Sequence, residues 1–420
     1  MKNKENLLSS SLKRGTNLQS VRSYNEKLVL QLIREHGELS KAEATIATGL
    51  SANAMSQIFR TLESWNLLKR GKPIRGRIGQ PSTPLSINGK ANYYLALNIA
   101  RRTVELSVID FKGQILQSCK ERYEFPIPAK ILQFVKSNLN DVVKTAKLKL
   151  KDMASLGVAM PFELWSWTEM YSSPADLLDQ WRDFDISTAL EQICNLDVLV
   201  ENDATAACRS ELVFGSHIER EDWVYFYIDT FIGGGIVLNG SVFPGRRGNA
   251  GGFGPMRVPH HREGSRLIDH ASLIVLEREL AKKGIDPLSC YIENQNWNDF
   301  EPMLSDWITR AANNIAHAIV SSLSVMDFEA AVIDGSFPEE VKNRLVNQVD
   351  KFLNETDLQG VHKPEIISGQ IGAKAQSKGA AASIISKDYL IDNNMLHRGC
   401  SKHLPLRQTA YSPHFLAKYD

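Results

Sequence analysis

Asn53, Gln57, Arg60 and Ser64 stand at helical spacing in one short stretch, and side chains of these types can contact nucleic acid bases. A glutamine can pair with N6 and N7 of adenine, and an arginine with O6 and N7 of guanine, in the major groove. Ser56 lies beside this stripe and is a further candidate contact. The stripe predicts a helix that reads DNA, although an ordinary solvated helix surface has the same pattern.

The residues after the stripe favour DNA over an ordinary surface. No Asp or Glu occurs from Ser64 to Val104, and the cations in that span include Lys69, Arg70, Lys72, Arg75, Arg77 and Lys90. Arg75 and Arg77 flank a glycine in a loop that contains Gly and Pro, and arginines presented in this way suit a narrow minor groove. We therefore expect Arg75 and Arg77 to contact DNA as well.

Two short helices joined by a tight turn must position the stripe. Ser40 and Glu43 fit a capping box at the start of the first helix, Gly49 ends it, and Ser51 can cap a second helix to about residue 65. The apolar residues of the second helix fall on another face, namely Met55, Ile58, Phe59 and Leu62. An earlier helix ending near residue 36 and a strand-loop-strand pattern over 67–88 complete the unit. These patterns predict a mobile arm at 1–18 and a winged helix-turn-helix domain at 19–90.

The charge distribution separates this first part from the remainder. Residues 1–90 carry 15 Lys and Arg against 6 Asp and Glu, a net charge of +9, whereas the rest carries 34 against 42, a net charge of −8. This asymmetry indicates nucleic-acid binding by the first part only. The five cysteines lack paired spacing, which is typical of reduced thiols, and no apolar run is long enough to span a bilayer. We therefore expect a cytoplasmic protein without membrane contact.

Residues 91–390 alternate strand and helix patterns and predict an α/β body. Strands are expected at 93–99, 104–111, from 114 onward, and at 155–160, 197–201, 223–227, 235–238, 330–333 and 364–368. Helices are expected at 129–148, 186–193, 205–213, 268–283, 303–325, 338–354 and 373–386. Residues 391–420 show no clear periodicity and are interpreted as a C-terminal extension.

The order and spacing of several short motifs resemble those of the ROK family of repressors and sugar kinases. These motifs include Arg14-Gly-Thr-Asn17, Gly79-Gln-Pro81, Glu201-Asn-Asp-Ala204, Ile232-Gly-Gly-Gly235, Gly248-Asn-Ala-Gly251 and Gly379-Ala-Ala381. The resemblance implies a two-lobed, actin-like (ribonuclease-H-like) body with a cleft between lobes that meet near residue 203. It also implies assembly into dimers or higher oligomers.

The resemblance places Asp203 at the position of the aspartate that, in kinase members, takes the proton from the attacking sugar hydroxyl. Both phosphate loops, however, depart from the kinase pattern. The first reads Asn98-Ile-Ala-Arg-Arg102 in place of Asp-x-Gly-Gly-Thr. The second reads Asp229-Thr-Phe-Ile-Gly-Gly-Gly235, with a carboxylate and an aromatic ring where phosphate oxygens would lie. Charge repulsion and steric exclusion should keep ATP out, so we predict no catalytic residue, no enzyme activity and no cofactor.

The sugar site that the resemblance implies is altered as well. Gly251-Gly-Phe-Gly-Pro255 replaces Gly-Glu-x-Gly-His, and a later family glutamate aligns with Ile268. Pyranose recognition needs several convergent hydrogen-bonding groups, so ordinary hexoses should bind poorly. Asn202, Asp203 and Asn249 remain as the candidate ligand-binding residues.

The zinc site of the family is not expected in this chain. Family members hold zinc with the histidine of the same motif and with three cysteines in a Cys-x-Cys-x5-Cys run, yet no cysteine lies between Cys208 and Cys290 here. His260, His261 and His270 are the available substitutes. Histidines without neighbouring cysteines are more often surface or loop residues, so we predict no metal site.

These features lead to a DNA-binding transcriptional regulator, expected to be a repressor, that binds a near-palindromic operator as a homodimer or higher homo-oligomer. Its body would serve oligomerisation and the sensing of a sugar-like or other small effector. Two alternatives stay open: an active ATP-dependent sugar kinase with an added DNA-binding domain, and a constitutive regulator whose body is only a dimerisation scaffold. Asp203 is then either part of a ligand site or a relic or helix cap.

Overall fold

The computed structural model describes residues 18–73, 83–167, 175–215, 218–259 and 265–395. Its first helices are α1 (Leu18–His36), α2 (Lys41–Thr48) and α3 (Ala52–Ser64). The Ser40 amide donates to Glu43 Oε2 at 2.8 Å, and the Glu43 amide donates to Ser40 Oγ at 3.3 Å, which confirms the predicted capping box. Gly49 ends α2 with a left-handed φ of 67°, and Ser51 caps α3.

A small antiparallel sheet packs with these helices. Its strands are β1 (Glu38–Leu39), β2 (Leu68–Arg70) and β3 (Leu85–Ile87), in the order β1-β3-β2. The four apolar residues predicted on the packing face of α3 are all buried. We refer to residues 18–91 as the N-terminal module. Arg75 and Arg77 lie in the loop between β2 and β3, at positions outside the described residues.

The first lobe of the body is built on a five-stranded sheet. Its strands are β4 (Tyr93–Ile99), β5 (Thr103–Asp110), β6 (Ile115–Arg122), β7 (Met153–Met160) and β8 (Val198–Asn202), in the order β6-β5-β4-β7-β8. Its helices are α4 (Pro128–Thr145), α5 (Ala175–Asp179) and α6 (Ile186–Cys194). The pairs β4–β7 and β7–β8 are parallel, so the carboxyl ends of these strands meet at one edge of the sheet.

The second lobe repeats this plan with a second five-stranded sheet. Its strands are β9 (Trp223–Ile228), β10 (Ile232–Leu238), β11 (Ser241–Val242), β12 (Ala330–Gly335) and β13 (Glu365–Ser368), in the order β11-β10-β9-β12-β13. Its helices are α8 (Ile268–Ala271), α9 (Leu273–Lys282), α10 (Met303–Leu323) and α11 (Glu339–Glu355). The sequence predicts one helix over 268–283, but the structure has two helices that are separated at Ser272. Ser272 Oγ accepts from the Ile232 amide at 3.0 Å and its carbonyl accepts from Trp307 Nε1 at 3.1 Å, so tertiary hydrogen bonds explain the break.

Two helices lie between the sheets of the two lobes. They are α7 (Asp203–Phe214), which contacts β10, and α12 (Ala375–Tyr389), which contacts β4 and β7. Small side chains let the two helices approach closely, because a Cβ atom at Gly379 would collide with the backbone oxygen of Ala206. The amino ends of both helices are thereby fixed at the cleft between the lobes.

The N-terminal module shares a continuous apolar core with the body. Val29, Ile33 and Phe59 of the module cluster with Tyr94 and Phe111 of the first lobe. The chain after α12 also contacts the body within residues that the sequence assigns to the extension. There the amide of Asn393 donates to Ser241 Oγ at 3.1 Å.

Candidate functional site

A cleft of about 220 Å³ opens between the lobes. The carboxyl end of β8 and the start of α7 bring Asn202 and Asp203 to one wall. Asn249, from the loop after β11, lines the same cleft. The structure therefore brings together the three candidate ligand-binding residues that the sequence identifies.

Asn202 caps α7, and Asp203 is the first residue of that helix. Asn202 Oδ1 accepts from the amides of Ala204 at 3.1 Å and Thr205 at 3.0 Å. Asp203 Oδ1 accepts from the Ala204 amide at 2.8 Å and from Asn202 Nδ2 at 3.3 Å. Asn202 is thus the main capping residue of α7, and Asp203 Oδ2 takes no part in the cap.

A chain of side-chain amides reaches Asp203 from the first sheet. Gln376 Nε2, at the start of α12, donates to Asp203 Oδ2 at 3.2 Å, and Asn98 Nδ2 donates to Gln376 Oε1 at 3.1 Å. Sequence reasoning did not identify Gln376, because its only signal is a contact with a residue 173 positions away. Glu163, at the rim of the cleft with a left-handed φ of 47°, was likewise missed.

The environment of the cleft raises the pKa of Asp203. Burial raises the pKa of its carboxyl to about 6, an effect that Arg101 opposes and Asp229 reinforces. Asp229 is itself only 7 % exposed, and burial raises its pKa too. The cleft therefore holds two carboxyls with raised pKa values beside one arginine, and the carboxyl of Asp203 can donate or accept a hydrogen bond with a polar ligand near pH 6.

The two altered phosphate loops meet in the cleft. The guanidinium carbon of Arg101 lies 4.2 Å from the centre of the Phe231 ring, and both residues line the cavity with Asp229. Arg102, the second cation of the first loop, is not among the residues that line the cleft. Its guanidinium pairs with Glu277 at 2.8 Å and donates to the Glu124 carbonyl at 2.7 Å, because a buried carboxylate nearby needs a counter-charge.

The wall expected to hold a sugar carries few polar groups. Gly252, Gly254, Pro255 and Ile268 line it, which agrees with the alignment of Ile268 with a family glutamate. None of these four side chains offers a hydrogen-bond donor or acceptor. The polar contacts available to a ligand therefore come from the opposite wall and from the loop that carries Asn249.

In the loop after β13, the backbone amides of residues 370–372 donate hydrogen bonds to carboxylates of the protein itself. Glu211 accepts from the amides of Gln370 at 3.0 Å and Ile371 at 3.2 Å, and Asp334 accepts from the Gly372 amide at 2.8 Å. Burial raises the pKa of Glu211 to about 7. Successive amides of this kind form an anion-binding concavity, and here internal acids already fill it.

The DNA-facing residues predicted on α3 are accessible. Asn53, Gln57 and Arg60 are exposed, Ser56 is partly buried, and Arg70 on β2 forms an exposed ion pair with Glu63 at 2.6 Å. Arg70 is therefore less available to a phosphate than its sequence context indicates, whereas Arg75 and Arg77 fall outside the described residues.

The described residues contain neither a metal-binding cluster nor a membrane-spanning helix. Among the described residues, no group of three or more His, Cys, Asp or Glu side chains is arranged to hold a metal ion. His270 is buried beside Ser265, with Nε2 3.2 Å from Oγ, while His260 and His261 lie outside the described residues. Across the described part of the chain, no helix is both long and apolar enough to cross a membrane.

Comparison with known proteins agrees with the resemblance found in the motifs. Residues 94–387 match the model of the ROK family. The N-acetylglucosamine repressor of Escherichia coli O157:H7 is 22 % identical over 404 residues, covering 90 % of this chain and 98 % of the relative. The xylose repressor of Bacillus subtilis is 23 % identical over 238 residues, covering 57 % of this chain and 61 % of the repressor.

Solved structures share the fold. A ROK transcriptional regulator homologous to E. coli MLC superposes with a TM-score of 0.60 at 20 % identity, covering 86 % of this chain and 95 % of that one. A ROK glucokinase from Streptomyces griseus superposes with a TM-score of 0.54 at 21 % identity, covering 69 % and 98 %. With the family model matched over most of the body, this chain belongs to the ROK family.

Proposed function

We propose that this protein is a sugar-responsive transcriptional repressor: the N-terminal module binds DNA as a winged helix-turn-helix, and the cleft binds a small effector. The observation that carries the proposal is the two-sided character of α3. Asn53, Gln57 and Arg60 are exposed on one face, while Met55 and Phe59 are fully buried on another. A helix held in this way, followed by a small antiparallel sheet, can lie in a major groove with its polar face against the bases.

The relatives support the choice of a repressor over an enzyme. The N-acetylglucosamine repressor and the xylose repressor carry names that describe transcriptional regulation, and the first of them is similar over nearly its full length. Their names mention N-acetylglucosamine and xylose respectively, so a sugar or a sugar-like molecule is the effector class we propose for this chain. An ordinary hexose should bind poorly, because the altered wall of the cleft offers few polar groups.

The cleft supports ligand sensing without phosphoryl transfer. Arg101, Phe231 and Asp229 line the cleft and belong to the two loops that, by the motif resemblance, correspond to the phosphate loops of kinase members. Asn202, Asp203, Asn249 and Gln376 still present amide and carboxyl groups to the cavity. A small polar ligand therefore has partners there, whereas ATP meets a carboxylate and a ring.

Experiments can distinguish two alternative functions from this proposal. An active sugar kinase requires nucleotide binding in the cleft, and a constitutive regulator requires that no small molecule change the affinity for DNA. We further propose that the protein acts as a homodimer or higher homo-oligomer on a near-palindromic operator, because two copies of one recognition helix read two half-sites about a helical turn or more apart.

The test begins with selection of sequences bound by the full chain from random duplex DNA, followed by affinity measurements on the selected site. Gln57→Ala should weaken specific binding, whereas Gln359→Ala, an exposed glutamine on the body, should not. Xylose, glucose and N-acetylglucosamine are then added separately to the complex. Failure to select any sequence would contradict the DNA-binding assignment. If none of the three sugars changed the affinity for the selected DNA, the result would contradict the proposed effector class and favour the constitutive regulator whose body is only a dimerisation scaffold.

A further inference from the structure

Two helices run from the cleft to the N-terminal module. Helix α7 begins with Asp203 and α12 begins one residue before Gln376, and these two side chains are hydrogen-bonded at 3.2 Å. The helices contain 12 and 15 residues. At about 1.5 Å per residue they span roughly 18 Å and 22 Å. Their amino ends line the cleft, and their carboxyl ends lie against the module.

The far end of each helix contacts α1. Phe214, the last residue of α7, has its ring centre 5.7 Å from the guanidinium carbon of Arg34. Near the end of α12, the Lys387 carbonyl accepts from Lys27 Nζ at 3.2 Å. Just beyond that end, the amide of Ile391 donates to Gln31 Oε1 at 3.2 Å. Helix α1 thus contacts the end of α7 through Arg34, the end of α12 through Lys27, and the chain just after α12 through Gln31.

The two helices are packed closely against each other. A Cβ atom at Gly379 would collide with the Ala206 backbone, so no space separates the helices at that crossing. Farther along, Glu201 forms an ion pair with Arg209 of α7 and accepts a hydrogen bond from Ser383 of α12. Closely packed interiors transmit displacements over their length instead of absorbing them.

Arg34 contacts the first lobe of the body as well as Phe214 at the end of α7. Its Nη2 donates to the Phe111 carbonyl at 2.9 Å, and its guanidinium carbon lies 4.9 Å from the Phe111 ring. Burial lowers the pKa of Arg34 only to about 10, so the side chain is charged at neutral pH. A partly buried cation is stabilised by the faces of nearby rings, and its stabilisation changes when a ring such as that of Phe214 shifts.

We propose that α7 and α12 act as one coupling unit that transmits the state of the cleft to the DNA-binding module, with the contact between Phe214 and Arg34 as its far junction. The inference rests on the proposed function, since it assigns the route by which an effector in the cleft changes DNA binding. A ligand that binds Asp203 competes with Gln376 for the same carboxylate oxygen. Release of Gln376 frees the amino end of α12, and the closely packed pair carries that change to α1.

The test measures the coupling directly in the full chain without requiring a known ligand. Four variants are compared with the wild type: Gln376→Leu at the cleft, Phe214→Leu at the far junction, the double variant, and Ser166→Ala as a control. Ser166 lines the same cleft but belongs to neither helix. Amide hydrogen exchange over residues 25–36 of α1 is the readout, and thermal unfolding establishes that each variant is folded.

Gln376→Leu should accelerate exchange in α1 by about fivefold, the size of a modest coupling between sites. In the Phe214→Leu background the same substitution should have an effect smaller than about twofold. Ser166→Ala should leave exchange in α1 unchanged. Equal effects of Gln376→Leu in both backgrounds, no effect in either, or an equal effect of Ser166→Ala would each overturn the proposal.

The second measurement is the affinity of the same variants for the selected operator DNA. If the protein binds no specific DNA, the proposed function fails, yet the exchange measurement still decides whether cleft and module are coupled. If it binds DNA and the exchange cycle shows no interaction between the two positions, the coupling unit is wrong while the repressor assignment stands. The two failures are therefore distinguishable.

Discussion

The guanidinium carbon of Arg101 lies 4.2 Å from the centre of the Phe231 ring, so one residue from each altered phosphate loop meets the other across the cleft. Kinase members of the ROK family place small residues in these loops, which lets phosphates approach the backbone. Here a cation and a ring contact each other and share the cavity wall with the buried carboxyl of Asp229. The contact is a physical reason to expect ligand binding without phosphoryl transfer.

We expect no transfer of phosphate from ATP to glucose, N-acetylglucosamine or mannose, because Phe231 and Asp229 exclude and repel the nucleotide phosphates. A coupled assay that follows ADP formation with the purified full chain measures this. Asp203→Ala is the control, since a true kinase signal needs a base at that position. Turnover that disappears in Asp203→Ala would show that the loops still admit the nucleotide.

Arg60 is expected to read one base, whereas Arg75 and Arg77 are expected to position the protein. Arg60→Ala should lower affinity for the selected operator by about 1–3 kcal/mol and relax preference at one base position. The double variant Arg75→Ala, Arg77→Ala should weaken binding to most sequences and give a shallower salt dependence. Sequence-preference profiles of the three proteins provide the measurement. An unchanged profile for Arg60→Ala would refute the assignment of α3 as the reading helix.

Asp203 should make the unfolding free energy depend on pH in a specific window. Its pKa is raised from 3.8 to about 6, so the folded chain binds more protons than the unfolded chain between these values. The contribution of Asp203 is therefore most favourable below about pH 4 and declines as pH rises to about 7, by at most roughly 3 kcal/mol. Water in the cleft reduces that magnitude.

Asp203→Asn is the variant that isolates this effect, because rotation of the Gln376 and Asn98 amides by 180° can restore the hydrogen bonds around the new side chain. Relative to wild type, the variant should gain stability steadily from about pH 4 to pH 7 in urea unfolding. Glu211, whose raised pKa lies in the same range, contributes equally to both proteins and cancels in the difference. A difference that does not vary with pH would contradict the assigned pKa.

Gly379→Ala should be far more disruptive than an ordinary glycine substitution. The new Cβ atom would collide with the Ala206 backbone in the crossing of α7 and α12, so we expect a loss of about 3 kcal/mol or more. Gly284→Ala is the matched control, because Gly284 has a left-handed φ of 75° but open space around it. That variant should lose only about 1 kcal/mol from backbone strain. Similar losses in both variants would argue against the tight crossing.

Local patterns account for what could be read from the chain before its structure was known. The capping box of Ser40 and Glu43, the left-handed turn at Gly49 and the buried face of α3 all depend on residues within a few positions of each other. The altered phosphate loops were visible for the same reason, because each loop is a continuous run of residues. Helical and strand periodicity likewise located most elements of the body.

Tertiary structure alone decided which of these local units meet. The break at Ser272 comes from hydrogen bonds to Ile232 and Trp307, which no helical pattern over 268–283 records. Gln376 reaches Asp203 across 173 residues, and Arg34 reaches the Phe111 carbonyl across 77. Periodicity specifies which face of an element is buried but not the partner that buries it. The route from the cleft to α1 therefore became visible only when α7 and α12 were placed side by side.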